Sequence, residues 1–327
     1  MTAVPSIADL LERVPSWVGR AVEWQRLEGG LSHHIFRIDV DQQPYVLRVL
    51  EPAVSAAGLG IPPEQEIANT IRAAETVGAQ VYAVLDDVPA LVIEFLPGRT
   101  LGATEVRRPE VIPALAEACR RLHSGPGFGN DFDIFAKRAE LLDVCARHDL
   151  PLPDGYLDRS SAVDGIRSAL DVAPLPAVPC HNDLLAENFI ATEDGVRIID
   201  YQLSGNNDPA FELGDIAAEA DYDPDLAERL ASAYFGAALT PALLARVRLF
   251  LIASNVTWAL WFTVHHGLLD TRGHAPKVST DPDGSVSFDY EAEAADKWGQ
   301  AQRALDDPDL GGLLDTVTGR KTNTPKH

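Results

Sequence analysis

Between Cys180 and Asp215 the chain reads CHNDLLAENFIATEDGVRIIDYQLSGNNDPAFELGD. The order of its polar groups restricts the fold more than any other stretch. His181-x-Asp183 comes first, and Asn188 follows. Phe189-Ile190-Ala191 predicts a strand, Thr192-Glu193-Asp194-Gly195 a turn, and Val196-Arg197-Ile198-Ile199 the returning strand. The return ends on Asp200, so Asn188 and Asp200 share the open end of one hairpin, close enough to hold one cation. Phosphoryl transfer from a nucleotide needs this order of groups. One carboxylate must meet the acceptor hydroxyl, and an amide with a second carboxylate must hold Mg²⁺ against the phosphates. A lone H-x-D is a weak signal; followed by Asn188, a turn and an Ile-Ile-Asp run it is a specific one.

A chain of 327 residues can bury a large core and suggests two lobes more readily than one. Hydrophobic content of 46% and charged content of 23% are those of an ordinary globular protein. The net charge of −22 argues against nucleic-acid or anionic-membrane partners. It suits a small cationic substrate, although acidic surfaces more often serve solubility alone. Cys119, Cys145 and Cys180 form no CxxC pair, which argues against a disulfide framework or zinc site and fits a reducing cytoplasm. The N-terminal stretch carries Asp9, Glu12 and Arg13 and has no apolar signal core. The apolar run Leu249 to Val264 is interrupted by Ser254, Asn255 and Thr257, so it reads as a buried helix and membrane insertion is not expected.

Along the chain, a short N-terminal helix leads into Ala21–Trp24, and Gly29-Gly30 marks a turn. Ile35–Val40 and Tyr45–Leu50 alternate as paired strands. Glu64–Val77 predicts a helix, with Ile67, Ile71 and Ala74 on its apolar positions. Val81–Leu85 and Ala90–Phe95 predict two more strands, and Pro97-Gly98 closes the β-rich part. From there the chain reads as mainly helical apart from the hairpin. This is an α+β chain: residues 1–96 form a small antiparallel-sheet N-lobe ending in a hinge, and residues 97–327 a larger, mainly helical C-lobe.

Taken together these motifs resemble the protein-kinase-like two-lobe fold of small-molecule kinases, the aminoglycoside phosphotransferase and choline kinase superfamily. The likeness runs from Leu27 to about Arg303. IDYQLSGNNDPAFELGD and SNVTWALWFTV are most similar to the metal-Asp segment and W-x-x-W helix of choline/ethanolamine kinases. The resemblance implies ATP and Mg²⁺ as cofactors and gives roles position by position. Asp183 resembles the catalytic Asp that accepts the hydroxyl proton, and Asn188 and Asp200 look like the Mg²⁺ ligands. Arg48 stands where relatives place a phosphate-contacting cation, and Glu66 looks like its ion-pair partner, with Glu64 as competitor. Arg suits the task by its own chemistry, as a fixed fork of donors for phosphate oxygens. Gly30 and Ser32, in the Gly-rich turn, match the phosphate loop. Glu94-Phe95-Leu96 matches the hinge, where the backbone of Glu94 and Leu96 would read the adenine edge. His181 looks like a loop organiser. Glu212, where the family usually has Asp, would accept hydrogen bonds that pin the catalytic loop.

A quaternary ammonium cannot donate a hydrogen bond, so it is recognised by aromatic faces and nearby carboxylates. Trp258 and Trp261 are three apart and project from one helix face. By resemblance they form two walls of an ammonium cage, with Tyr290 as a third and Glu219 as the balancing carboxylate; the competing reading is core packing. Leu203 stands where choline kinases place a cage Tyr, Gln202 replaces a Glu, and His33 an Asn. These departures leave ethanolamine, its methylated forms and other amino alcohols open as substrates. His123 reads as structural, and His265 and His266 as the close of the Trp helix, with Gly267 as its stop.

The expected activity is therefore an ATP- and Mg²⁺-dependent kinase acting on the hydroxyl of choline or a related amino alcohol. An antibiotic-modifying phosphotransferase for aminoglycosides is the enzymatic rival. A catalytically dead nucleotide-binding protein is the rival from outside enzymes, and intact Asp183, Asn188 and Asp200 argue against it. Oligomeric state is not legible.

Overall fold

The computed structural model describes residues 6–27, 32–85, 87–270 and 289–320. Its N-terminal lobe is an antiparallel sheet of β1 (Val22–Arg26), β2 (His34–Val40), β3 (Gln43–Val49), β4 (Val81–Leu85) and β5 (Ala90–Glu94), in the order β1-β2-β3-β5-β4. Strand alternation divides its side chains between two faces. Ile38, Val40, Leu47 and Val92 bury one face against Leu10, Val14 and Trp17 from the N-terminal segment. Arg48 is one residue out of phase with Leu47 and pairs with Leu91 across the β3–β5 ladder. It therefore leaves from the opposite face, where Leu91, Ile93 and Leu96 meet Ile190 of the catalytic hairpin. That contact joins the two lobes.

The helix expected over Glu64–Val77 spans Pro63–Ala73 and buries Glu66, Asn69, Thr70 and Ala73 along one face. Beyond it the amides of Thr76, Val77 and Gly78 all turn back to the Ala73 carbonyl, and the following carbonyls face the hairpin. Val77 accepts from the Ile198 amide and Arg197 Nε, and Gly78 accepts from Arg197 Nη2.

The C-lobe is built around the Pro241–His265 helix, which lies against the Pro209–Glu219 and Tyr290–Leu305 helices. Thr240 caps its first turn by accepting from the Leu243 amide, with Pro241 at the first helical position. The helical run Pro241–Leu269 has a mean hydropathy of 1.4 in its most apolar window and is long enough to cross a membrane, yet 83% of that window is buried inside the protein. A helix apolar all round is what a core surrounded on every side requires. Its end differs from expectation. Gly267 does not stop the helix, which continues through a wider π-type turn over His266–Asp270. A Cβ on Gly267 would lie 2.6 Å from Leu150 Cδ2, so a larger residue there would have to push that side chain aside.

The C-lobe also carries more β structure than the hairpin alone. Its strands are β6 (Gly98–Thr100), β7 (Val178–Cys180), β8 (Phe189–Thr192), β9 (Gly195–Ile198) and β10 (Gly205–Asn207). The hairpin is β8–β9, closed with Thr192 opposite Gly195. Pro97-Gly98, expected to end the sheet-rich part, instead opens β6, which adds a third strand in the order β6-β8-β9. A Cβ on Gly98 would sit 2.5 Å from the Ala191 carbonyl oxygen, so only glycine permits that approach. β7 and β10 pair antiparallel beside the catalytic loop. Strands of three residues are too short to show an alternating signal.

Candidate active site

The catalytic loop follows β7, and its backbone is held by side chains at four consecutive amides. His181 N–H and Asn182 N–H donate to the two carboxylate oxygens of Glu212, both at 2.8 Å. Asp183 N–H donates to His181 Nδ1 at 3.3 Å, and Leu184 N–H to Asp215 Oδ2 at 2.9 Å. Burial acts to raise the Glu212 carboxyl, but hydrogen bonding and charge from His123, with help from His181, hold it below the usual range. Hydrogen bonds to a buried carboxylate contribute roughly 1.5–3 kcal/mol each, so Glu212 is a strong anchor. The extra methylene relative to Asp does not prevent the grip. His181 donates from Nε2 to the Ile199 carbonyl at 2.8 Å, which ties the loop to the hairpin; burial lowers its pKa and favours the neutral ring this arrangement needs.

Asn182, fully buried, adopts φ of 66°, a left-handed conformation that Asn tolerates better than most residues. Its Nδ2 reaches the carbonyls of Cys180, Leu203 and Gly205, and its Oδ1 accepts from Asn207. Sequence reading passed over Asn182, although an Asn beside an H-x-D motif is itself a turn signal.

Asp183 is thereby fixed with part of its surface open. Burial first, then the charges of Asp215, Glu219 and Asp200, push its carboxyl well above the ordinary value, while Lys297 works the other way. A carboxylate with raised proton affinity suits a group that must receive a hydroxyl proton. Asn188 Nδ2 donates to the Asp183 carbonyl at 2.8 Å, and the Asn188 carbonyl accepts from Ile199 N–H at 3.0 Å. Asp200 is the next residue on the returning strand, with φ of 70°. With its nitrogen engaged, Asn188 has its amide oxygen to offer beside the Asp200 carboxylate. Two hard oxygen donors, from Asn188 and Asp200, would suit Mg²⁺, which would supply charge neutralisation there.

Across the lobes, Arg48 Nη2 lies 3.1 Å from Glu66 Oε1 and 2.5 Å from Asp200 Oδ1. Burial acts to raise the Asp200 carboxyl, but Arg48, aided by His33, holds it below the usual value. Glu66 is the buried partner and Glu64 is not, because the helix turns Glu66 inward. His33 Nδ1 accepts the Glu51 amide at 3.0 Å, and its Nε2 lies 3.3 Å from Glu66 Oε2. Ser32 is buried beside His33 in sequence, while Gly30 lies outside the described residues. In the hinge, the Glu94 carboxylate accepts from the Gln80 amide and lies 3.6 Å from Arg197 Nη2, and Leu96 is buried in the interlobe cluster.

Next to the catalytic loop stands Asp215, to which sequence reading assigned no role. Asp215 Oδ1 accepts from Trp258 Nε1 and Ser254 Oγ, both at 2.7 Å. Burial and the charge of Glu219 push its carboxyl up to about 7, against the hydrogen bonds that lower it. Asp215 thus ties the catalytic loop to the W-x-x-W helix. Trp261 Nε1 donates to the Leu59 carbonyl at 3.0 Å, which Gln202 Nε2 also reaches at 2.9 Å. Both indoles are buried, as is Tyr290, whose ring stacks on His265 with centroids 4.0 Å apart. Glu219 Oε1 lies 3.0 Å from Lys297 Nζ. Lys297 was also missed, since nothing near it in sequence marks a partner in another helix.

Among the described residues one group, His123, Cys180 and Glu212, has the proximity of a metal site. Its chemistry is otherwise. Glu212 already accepts the two loop amides, His123 Nδ1 pairs with the Tyr234 hydroxyl at 2.7 Å, and burial pushes the Cys180 thiol well up. His123 Nε2 lies 3.5 Å from Glu212 Oε1, among the contacts that anchor the loop.

Two lobes joined at a hinge, with a pinned carboxylate, a two-donor cation site and a buried Arg–Glu pair between them, define a kinase-like phosphotransferase that acts on an alcohol group. A model of the phosphotransferase enzyme family matches residues 23–250, and the chain belongs to that family. Ethanolamine kinase 2 of Rattus norvegicus is 24% identical over 282 residues, covering 77% of this chain and 72% of the relative. Protein LicA of Haemophilus influenzae is 35% identical over 178 residues, 51% of this chain and 66% of LicA. The crystal structure of a choline/ethanolamine kinase family protein from Mesorhizobium loti superposes with a TM-score of 0.77 at 28% identity, covering 94% of this chain and 97% of that one. The two-lobe expectation and the choline/ethanolamine kinase resemblance are borne out, and the fold family implies ATP as donor.

Proposed function

We infer that this chain transfers the γ-phosphoryl group of ATP to the hydroxyl of choline or a related amino alcohol of the ethanolamine type. The observation that carries the reading is the assembly of Asp183, Asn188 and Asp200 around one hairpin end, with Arg48 bridging Glu66 and Asp200. Asp183 orients the acceptor hydroxyl and takes its proton as the oxygen bonds to the γ-phosphorus and ADP leaves. Arg48 positions the nucleotide phosphates, held in place by Glu66. Asn188 and Asp200 would hold Mg²⁺, which neutralises charge on the phosphates. In this reading residues 1–96 form the nucleotide lobe, with Gly30 and Ser32 at the phosphates and the backbone of Glu94 and Leu96 at the adenine. Residues 97–327 form the acceptor lobe. The amine is received on the side of Trp258, Trp261, Tyr290 and Glu219, where Lys297 and His265 are also packed.

Likeness to ethanolamine kinase 2 and to a choline/ethanolamine kinase family protein supports the acceptor class. Three buried free thiols, Cys119, Cys145 and Cys180, suit action in a reducing cytoplasm. ADP release coupled to a reporter reaction, with Mg·ATP and a panel of amino alcohols and aminoglycosides, tests the reading. Turnover with amino alcohols supports it, and turnover with aminoglycosides alone contradicts it.

A further inference from the structure

A quaternary ammonium is held by aromatic faces open to it and by a carboxylate with uncompensated charge. In this chain both are already engaged by its own side chains. Lys297 Nζ lies 3.0 Å from Glu219 Oε1 and donates to the Ala218 carbonyl at 3.0 Å, and only 4% of the residue is exposed. Burial acts to strip the proton from Lys297, but Glu219, then Asp215 and Asp221, hold it more firmly than in water. The pair is ionic. An ammonium built into the wall beside Glu219 leaves that carboxylate little net charge for a second cation.

The aromatic side is filled in the same way. The fully buried His265 ring lies between two of the three proposed cage walls. Its centroid is 5.1 Å from that of Trp261, at 31°, and 4.0 Å from that of Tyr290, at 12°. A trimethylammonium group placed between those rings would have to displace the imidazole. Trp258 donates its N–H to Asp215, which fixes the orientation of that ring.

What remains on the acceptor side is oxygen. Asp215 accepts three hydrogen bonds, from Leu184, Ser254 and Trp258, while a carboxylate offers about four lone-pair sites. Asp183 stands on the same side. Free carboxylate lone pairs reward an amine that carries N–H groups and offer a quaternary nitrogen only diffuse attraction.

Resting on the amino-alcohol reading above, we propose that Lys297 and His265 determine acceptor specificity, restricting it to hydrogen-bond-donating amino alcohols and disfavouring fully methylated ones. Lys297 acts by compensating Glu219, and His265 by filling the slot between Trp261 and Tyr290.

The test uses the full chain and Mg·ATP with ethanolamine, its N-methyl and N,N-dimethyl derivatives, and choline. The expected kcat/KM falls along that series and is roughly tenfold lower for choline than for ethanolamine, the size of one lost cation contact. Lys297→Met frees Glu219 and raises the choline-to-ethanolamine ratio roughly fivefold. Glu219→Gln combined with Lys297→Met removes both charges, leaves no lone buried ion, and returns the ratio towards wild type. A lysine with only a structural role would lower both substrates alike and leave the ratio unchanged, which overturns its part in specificity. Choline matching or exceeding ethanolamine in the wild type overturns the proposal and leaves the kinase reading standing. Absence of turnover with all four overturns the amino-alcohol reading itself. If Lys297→Met does not fold, Lys297→Gln, which also leaves Glu219 without its cation, takes its place, and an unchanged ratio there overturns the lysine's part.

Discussion

Arg48 Nη2 lies 2.5 Å from the Asp200 carboxylate, across 152 positions of sequence and from one lobe to the other. The same nitrogen is 3.1 Å from Glu66. One guanidinium therefore compensates two acidic groups and sets the distance between the β3 strand and the catalytic hairpin. Replacing it with Met leaves Asp200 without its guanidinium partner and Glu66 with His33 alone. Removing one partner of a buried ion pair costs roughly 3–5 kcal/mol, so Arg48→Met should unfold at markedly lower urea concentration than wild type. Its KM for ATP should rise as phosphate positioning is lost. A variant of unchanged stability and unchanged nucleotide KM would remove Arg48 from the account.

Glu212 offers a second test, of loop anchoring. Gln in its place keeps one acceptor and turns an NH₂ group towards a loop N–H. A buried donor left without its acceptor costs roughly 1–3 kcal/mol. Glu212→Gln should lose stability by that amount, read by denaturant unfolding, and should lower kcat because Asp183 is carried by the loop. The wild-type group, held below its ordinary pKa, stabilises the fold above pH 4.5 and loses that contribution as pH falls through its folded value. The stability gap between wild type and Glu212→Gln should therefore narrow in acid. A gap that does not change with pH contradicts the assignment.

Asp215 titrates in the opposite sense. Its folded value of about 7 lies above the ordinary 3.8. A group that binds its proton more tightly when folded stabilises most below its unfolded pKa, and that contribution disappears as pH rises through the folded one. Between about pH 4 and about pH 7, wild type should lose on the order of 4 kcal/mol relative to Asp215→Asn. Thermal unfolding of both chains across that window measures it. A constant difference would show that burial and Glu219 do not raise this carboxyl.

These groups differ in how far sequence reveals them. Asp183, Asn188 and Asp200 could be singled out because they flank one short hairpin, where local spacing sets three-dimensional proximity. Glu66 was legible as one of two neighbouring candidates, and the helix phase chose between them. Asp215 stands inside the most informative stretch, yet its role depends on Trp258 and Ser254 from a helix some forty positions on. Lys297 meets Glu219 from 78 positions away, across two packed helices. The His265 ring between Trp261 and Tyr290 reverses the simplest reading of an aromatic cluster, since side-chain packing, not composition, decides whether a slot is open. Short strands such as β6 and β10 are fixed by pairing with distant partners and leave no periodic trace.

The central claim is that Asp183 receives the proton of an alcohol that is phosphorylated on oxygen. Phosphorus NMR of reactions containing Mg·ATP and ethanolamine, run side by side with wild type and Asp183→Ala, tests it most directly. The account predicts a phosphomonoester resonance that grows with wild type and does so roughly 10²–10⁴-fold more slowly with the variant, the usual contribution of a positioned base. The phosphomonoester forming at equal rates with both proteins, or only inorganic phosphate appearing with wild type, would contradict it.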